Sequence, residues 1–260
     1  MWQPDGWGFR ARLGLLVPHA AIGSESELAA MAPDGVSIHA TRVPLGVMRA
    51  GGLMDPTIAL DPVRAFADPP MVDDAAELLA AAPLHAIGFA FTSSSYVRGA
   101  PDDEILRRRL EARTRGIPVA ISSASAVLGL RALGALHVAL VDPPWFSPEL
   151  TALGVDYFTS QGFSIVHAAS AKLPSEQRAI NPGQLFEWVR GHVPAEAEAV
   201  YIGGNGLRAV GVIHALEEDL RIPVLTANQV LLWHLLGLAG TRAPVASYGR
   251  LFDRVVPVEV

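Results

Sequence analysis

Arg115-Gly116-Ile117-Pro118-Val119 runs through a turn of small residues, Ser122-Ser123, into a stretch rich in Ala and Leu. Further along, Leu220-Arg221-Ile222-Pro223-Val224 does the same through Thr226-Ala227-Asn228 into a Leu-rich stretch. In both copies a polar turn residue, Ser123 or Asn228, stands six positions after the Ile. Upstream of each copy a β-branched run ends in a polar or Gly-rich turn, Thr92-Ser93-Ser94-Ser95 in one and Gly203-Gly204-Asn205-Gly206 in the other. A strand–turn–helix–strand–turn–helix unit written twice predicts two similar halves.

Working outward, short β-branched runs recur at 13–17, 36–43, 86–91, 117–121, 137–141, 163–167, 199–202 and 222–225. Their near-continuous apolar character suits parallel strands buried on both faces. The expected architecture is α/β, with a four-stranded, mostly parallel sheet flanked by helices in each half. Residues 1–122 with 228–260 are expected to form the first half and 123–227 the second. Ligands of open parallel sheets bind where the carboxyl ends of the strands meet. That rule predicts one cleft between the halves, lined by Pro18, His19, Thr92, Ser93, Ser94, Ser95, Ser122, Ser123, Asp142, Gly203–Gly206 and Thr226–Asn228. The stretch 44–70 has no clear period and is rich in Gly, Pro and Met, as a lid or an overlooked short helix would be.

Composition narrows the function. The chain has 260 residues, half of them apolar, and 20 Lys plus Arg against 26 Asp plus Glu, for a net charge of −6. That balance argues against nucleic acid as a partner. The Arg-rich segment 101–115 opens on Asp102, Asp103 and Glu104 and ends on Arg113 and Arg115, which matches a helix dipole and reads as a solvated helix face. There are no cysteines, so disulfides, thiolate metal sites and a cysteine nucleophile are excluded. The first ten residues hold no apolar segment behind a basic tip. The most apolar stretch, 230–239, is interrupted by His234 and is shorter than the roughly 20 residues a bilayer span needs. A soluble, cytoplasmic protein without a membrane partner is expected.

Two segments offer chemistry. The hydroxyls of Thr92, Ser93, Ser94 and Ser95 follow a buried strand, where they and backbone N–H groups can hold a carboxylate or a developing enolate oxygen. Capping of the next helix explains the same residues equally well. The turn Gly203–Gly206 allows close backbone approach to an anion, with a helix expected to start near Leu207. Gly204–Ala209 also fits G-x-G-x-x-A, but the next strand ends in Thr226 and lacks the acidic residue that would hold a ribose, so a nicotinamide cofactor is disfavoured. None of the eight histidines shows metal-ligand spacing, and no metal site is expected. His19, after Pro18 at the tip of the first strand, is the candidate general acid. Asp142 occupies the corresponding strand end in the second half, where initiating a turn before Pro143 is its other reading.

With these residues in hand, the chain resembles the aspartate/glutamate racemase superfamily, in the branch holding arylmalonate decarboxylase, maleate cis–trans isomerase and ectoine-utilisation racemase-like proteins. The resemblance rests on Arg12–Pro18, Thr92–Gly99, Gly203–Leu207, Ile222–Val224 with Asn228, Gln229 and Trp233, and Tyr248–Asp253. It implies two pseudo-symmetric Rossmann-like halves, a site at their interface, no cofactor, a small carboxylate or dicarboxylate ligand, and a tendency to homo-oligomers. Family racemases use two cysteines, the decarboxylase keeps the second as proton donor, and the isomerase uses a cysteine as nucleophile. Here Phe91 occupies the first cysteine position and Gly204 the second, so thiol chemistry is not available. Thr92 and Ser93 match residues that hydrogen-bond the enediolate oxygens in the decarboxylase, and backbone N–H groups near Asn205 would complete that cradle. The expected tyrosine falls near Pro144-Trp145 and is missing. His19 replaces an apolar residue of the pocket for the departing carboxylate, which would weaken desolvation there. The implied function is a cofactor-independent enzyme acting beside a carboxylate through an enolate-like intermediate, as a decarboxylase, isomerase or lyase. Its expected ligand contacts are Pro18, Thr92, Ser93, Ser94, Ser123, Gly204, Asn205, Gly206 and Asn228, with His19 or Asp142 handling the proton. The competing expectation is an inactive carboxylate-binding or regulatory protein on the same fold.

Overall fold

A computed structural model describes residues 5–257; the first four residues, which enter the reading of the chain start, and the last three lie outside it. In chain order the elements are β1 (Ala11–Pro18), α1 (Gly23–Met31), β2 (Val36–Val43), β3 (Met48–Arg49), β4 (Leu53–Met54), α2 (Leu60–Ala65), α3 (Met71–Leu79), β5 (Ala86–Phe89), α4 (Thr92–Arg98), α5 (Ala100–Arg113), β6 (Val119–Ile121) and α6 (Ser122–Leu133). There follow β7 (His137–Asp142), α7 (Pro148–Ser160), β8 (Ser164–Ser170), α8 (Pro182–His192), β9 (Ala199–Ile202), α9 (Ile213–Leu220), β10 (Val224–Thr226) and α10 (Ala227–Leu238).

The eight long strands divide into two parallel four-stranded sheets, ordered β2-β1-β5-β6 and β8-β7-β9-β10. Numbered within its own half, each sheet runs 2-1-3-4, so the duplication read from the Ile-Pro motifs is a duplication of topology. Strand β1 is buried along nearly its whole length, which is why it reads as an apolar run and not as an alternation. The last helix of each unit crosses to the other sheet: α10 packs on β5 and β6, and α6 on β10. Gly88 of β5 permits close approach of α10, since a Cβ there would stand 3.1 Å from Leu231 and Leu235. In both sheets the strand order reverses beside the first strand, so the switch points lie between the ends of β1 and β5 and between those of β7 and β9.

The Arg-rich segment forms α5, and its guanidinium groups pair with carboxylates of the chain itself: Arg107 with Glu104 and Glu111, Arg109 with Asp73, Arg113 with Asp74 and Glu77. The stretch 44–70 is ordered, holding the antiparallel β3–β4 pair and the short helix α2. The helix expected near Leu207 is absent. Residues 205–209 form turns and α9 begins only at Ile213, because the amides of Ala209 and Val210 turn onto the Glu27 carboxylate instead of starting a helix. Among the described residues no helix is long and apolar enough to cross a membrane, and no cluster of His, Asp or Glu has the make-up of a metal site.

Candidate functional site

The two switch points face one small cavity. Its walls include Pro18 at the end of β1, Phe91, Thr92 and Ser93 at the start of α4, and Gly204, Asn205 and Gly206 after β9. Ser24 of α1 and Gln177 add polar groups, and Leu45, Met48, Met54 and Ile58 close the cavity from the 44–70 segment. Trp145, at the place of the missing tyrosine, lines it too, and its carbonyl accepts the Ile58 N–H at 3.0 Å, tying the capping segment down. The cavity volume is ≈ 40 Å³. One buried water needs roughly 10–15 Å³ of such space, so the site admits only a small ligand.

A hydrogen-bonded chain of side chains joins the halves beneath this cavity. The Asn205 Oδ1 accepts from the Thr92 N–H at 3.0 Å and the Thr92 hydroxyl at 2.9 Å. Thr92 Oγ1 in turn accepts the Gly204 N–H at 3.3 Å. Asn205 Nδ2 donates to Asn228 Oδ1 at 2.9 Å, and Asn228 Nδ2 donates to Glu27 Oε2 at 2.7 Å and to the Asn205 carbonyl at 3.0 Å. Glu27 Oε1 accepts the Ala209 and Val210 amides at 2.7 and 3.1 Å. Burial pushes the Glu27 carboxyl above its ordinary range, and the hydrogen bonds from Asn228 and the two amides oppose that shift. These residues are nearly fully buried, so every satisfied donor and acceptor counts.

Pro18, Thr92, Ser93, Gly204, Asn205 and Gly206 therefore come together on the cavity wall. Thr92 and the Asn205 side chain spend their polar atoms on each other. What remains toward a ligand are the Ser93 hydroxyl and the N–H groups of Ser93, Asn205 and Gly206, which among the described residues have no protein acceptor. Asn228 and Ser123 stand behind the wall: Asn228 in the chain just described, Ser123 with its hydroxyl donating to the Thr92 carbonyl at 3.3 Å. Ser94 is buried away from the cavity, its Oγ without a partner. The sequence reading missed Glu27, Ser24 and Gln177, and read the capping segment only as a lid or a short helix. Of these only Glu27 carried a signal, an acid one position before Leu28 on the buried face of α1.

His19 does not face the cleft. Its main chain continues the β1–β2 pairing through a 2.8 Å bond from its N–H to the Val43 carbonyl, and its Nδ1 accepts the Leu45 N–H at 3.1 Å, which leaves the ring on the exposed side. Asp142 lies fully buried below the cavity, beside Gly203: a Cβ on that glycine would stand 2.9 Å from Asp142 Oδ1 and 3.2 Å from the Tyr96 hydroxyl. The Tyr96 hydroxyl donates to Asp142 Oδ1 at 3.4 Å. Burial raises the Asp142 carboxyl to about 7, against hydrogen bonds from Thr151 and Tyr96 that lower it. Among the described residues no ionisable side chain lines the cavity.

Phe91 and Gly204, which the resemblance sets against the family's two cysteines, are both closely packed. The Phe91 ring stacks on Phe66 with centroids 4.2 Å apart and lines the cavity. Gly204 has φ +81°, and a Cβ built there would stand 3.0 Å from Pro143 Cδ and closer still to Cγ. The arrangement is a mostly apolar, cation-free pocket with neutral donors gathered at one end.

Comparison with known proteins agrees with this geometry. A family profile described as arylmalonate decarboxylase matches residues 13–252. A maleate isomerase of Geobacillus stearothermophilus is 28% identical over 148 residues, a stretch covering 55% of this chain and 58% of that protein, so the match spans a little over half of the curated relative. Among solved structures, a cysteine-to-alanine variant of the Pseudomonas putida maleate isomerase with maleate superposes with a TM-score of 0.81 at 21% identity, covering 94% of this chain and 98% of the other. A glycine-to-cysteine mutant of arylmalonate decarboxylase in a sulfate-associated form superposes at 0.76 with 22% identity, covering 94% and 100%.

Proposed function

The chain belongs to the arylmalonate decarboxylase family, and from that premise we propose that it decarboxylates a small malonate-type diacid between its two halves, without cofactor or thiol. The observation that carries this reading is the cavity itself: unpaired N–H donors of Ser93, Asn205 and Gly206 at one end, and an apolar wall of Leu45, Met48, Met54, Ile58 and Phe91. One carboxylate of the diacid accepts from the donors. The other sits against the apolar wall, where its charge is poorly solvated and its loss as neutral CO2 is favoured. The C–C bond breaks, its electron pair passes into an enediolate on the held carboxylate, and the donors stabilise the growing charge. Removing one such donor typically lowers the rate by about 10²–10³.

With His19 outside the cleft the apolar wall is unbroken, which favours carboxylate loss. Protonation at carbon then falls to water or to Asp142 below Gly203. Thiol addition to a maleate double bond has no residue to perform it, so isomerisation is not part of the proposal. The proposed halves are residues 1–122 with 228–260 and residues 123–227, a division supported by the packing of α10 on the first sheet.

A second reading, a carboxylate-binding protein that has lost turnover, is favoured by one observation: among the described residues no ionisable side chain lines the cavity. Proton NMR in D2O over a panel of 2-substituted malonates, with maleate as control, separates the two. The proposal expects a monoacid product carrying deuterium at C2, and unchanged maleate. Saturable binding across the panel with no product supports the binding reading.

A further inference from the structure

The duplicated halves share a second groove, filled in one and open in the other. In the second half it lies between α9, β10 and α10, and the chain's own segment 248–253 occupies it. Leu251 is buried there against Gly129 of the crossing helix α6, and the Arg250 N–H donates to the Glu217 carboxylate at 3.0 and 3.1 Å. Two α10 side chains grip the main chain of this stretch: Gln229 Nε2 donates to the Tyr248 carbonyl at 2.6 Å and Trp233 Nε1 to the Arg254 carbonyl at 2.8 Å.

The Ile-Pro register gives the counterparts in the first half. Glu111 of α5, one position off that register, takes the part of Glu217: Glu111 Oε1 accepts the Val119 N–H at 3.1 Å as Glu217 Oε1 accepts the Val224 N–H at 3.0 Å. Gln229 becomes Ala124, Trp233 becomes Leu128, and Gly129 becomes His234 of the crossing helix α10. Glu111, Ala124, Leu128 and His234 all line a cavity of ≈ 200 Å³, five times the volume of the interface site. Its floor is apolar, with Val119, Ile121 and Leu238.

The two donors that hold a main chain in the filled groove are Ala and Leu in the open one, so an extended peptide has nothing to grip. What persists is the apolar floor, narrowed by His234 where Gly129 makes room for Leu251, and rimmed by Asp103, Glu104, Glu111, Arg107 and Arg131. Arg131 makes no carboxylate pair among the described residues; its Nη2 donates to the Gln161 carbonyl at 3.1 Å. Asp103 is nearly buried, with Oδ2 accepting the Tyr157 hydroxyl at 2.8 Å. His234 Nδ1 bonds the Ser125 hydroxyl at 2.9 Å, leaving Nε2.

We propose that this open groove is a binding site for a free aliphatic amino acid of leucine type. Its side chain takes the place that Leu251 fills in the other half, its carboxylate pairs with Arg131 and its ammonium with Asp103. Isothermal titration of the full chain with L-leucine tests this, with 4-methylpentanoate and isoamylamine as probes lacking one charge each. Saturable leucine binding with a Kd of about 1 mM or tighter is expected, the two analogues binding at least about tenfold more weakly. Arg131→Ala, an exposed change that leaves the fold intact, should weaken leucine about tenfold or more, and Ala124→Trp should abolish binding by filling the socket. No saturable heat with leucine, equal affinity for either analogue, or wild-type affinity in Arg131→Ala would overturn the proposal.

Discussion

Returning a cysteine to position 204 tests whether the thiol slot of this family is merely empty or has been rebuilt. Gly204 sits at φ +81°, a left-handed conformation that costs an ordinary L-residue about 1–2 kcal/mol. The new Cβ would press into the Pro143 ring, 3.0 Å from Cδ and nearer to Cγ. Overpacking of a closed site costs about 1–3 kcal/mol. Gly204→Cys should therefore destabilise the protein by about 2–5 kcal/mol. For a chain of this length that lowers Tm by about 5–15 °C. Pro143→Ala in the same chain removes the clash but not the backbone strain, so the double variant should recover about 1–3 kcal/mol and no more. Thermal unfolding followed by circular dichroism reads all three proteins. A Gly204→Cys variant melting within about 1 °C of the parent would refute the claim that Pro143 occupies the thiol's place.

Three further outcomes follow from the same geometry. Glu27→Ala strips acceptors from the Ala209 and Val210 amides and from Asn228, and urea unfolding should show a loss of about 2–4 kcal/mol, with Glu27→Gln recovering part of it. His19→Ala, on the exposed side of β1, should change turnover of any identified substrate by less than about twofold; a loss of about a hundredfold would return His19 to the mechanism. The Asp142 carboxyl is held near 7 in the folded chain, against an ordinary value of 3.8, so unfolding releases its proton across that window. The sign is definite: the penalty for burying Asp142 is absent at pH 3, grows as pH rises from about 4 to about 7, and is complete above that, reaching about 4 kcal/mol at 1.36 kcal/mol per unit. Asp142→Asn should remove that decline, narrowing the stability difference between pH 4 and pH 8 measured by urea unfolding; an unchanged pH profile would show that Asp142 ionises freely.

The duplicated topology was legible because both copies keep the features that build it: a β-branched strand, an Ile-Pro entry and a small polar turn, down to the positive-φ residues Gly116 and Arg221 directly before each Ile. The cradle segments were legible for the same reason, since strand ends at a switch point must carry small residues. Side-chain direction was not. His19 follows Pro18 in sequence, but the Leu45 amide and the pairing with Val43 decide where its ring goes, and both partners are long-range. Thr92 and Asn205 read as two ligand donors because nothing local shows that they satisfy each other across 113 positions. The 44–70 stretch could be read only as a lid or a short helix, because its β3–β4 pair and α2 are held by contacts such as Ile58 to Trp145, not by a hydrophobic period of their own.

A crystal of this protein grown with a small 2-substituted malonate asks the most direct question of the account. One carboxylate should lie within hydrogen-bond distance of the Ser93, Asn205 and Gly206 amides, the other against Leu45, Met48 and Ile58. Density for the diacid outside the interface of the halves, or bound there through a charged side chain, would contradict it.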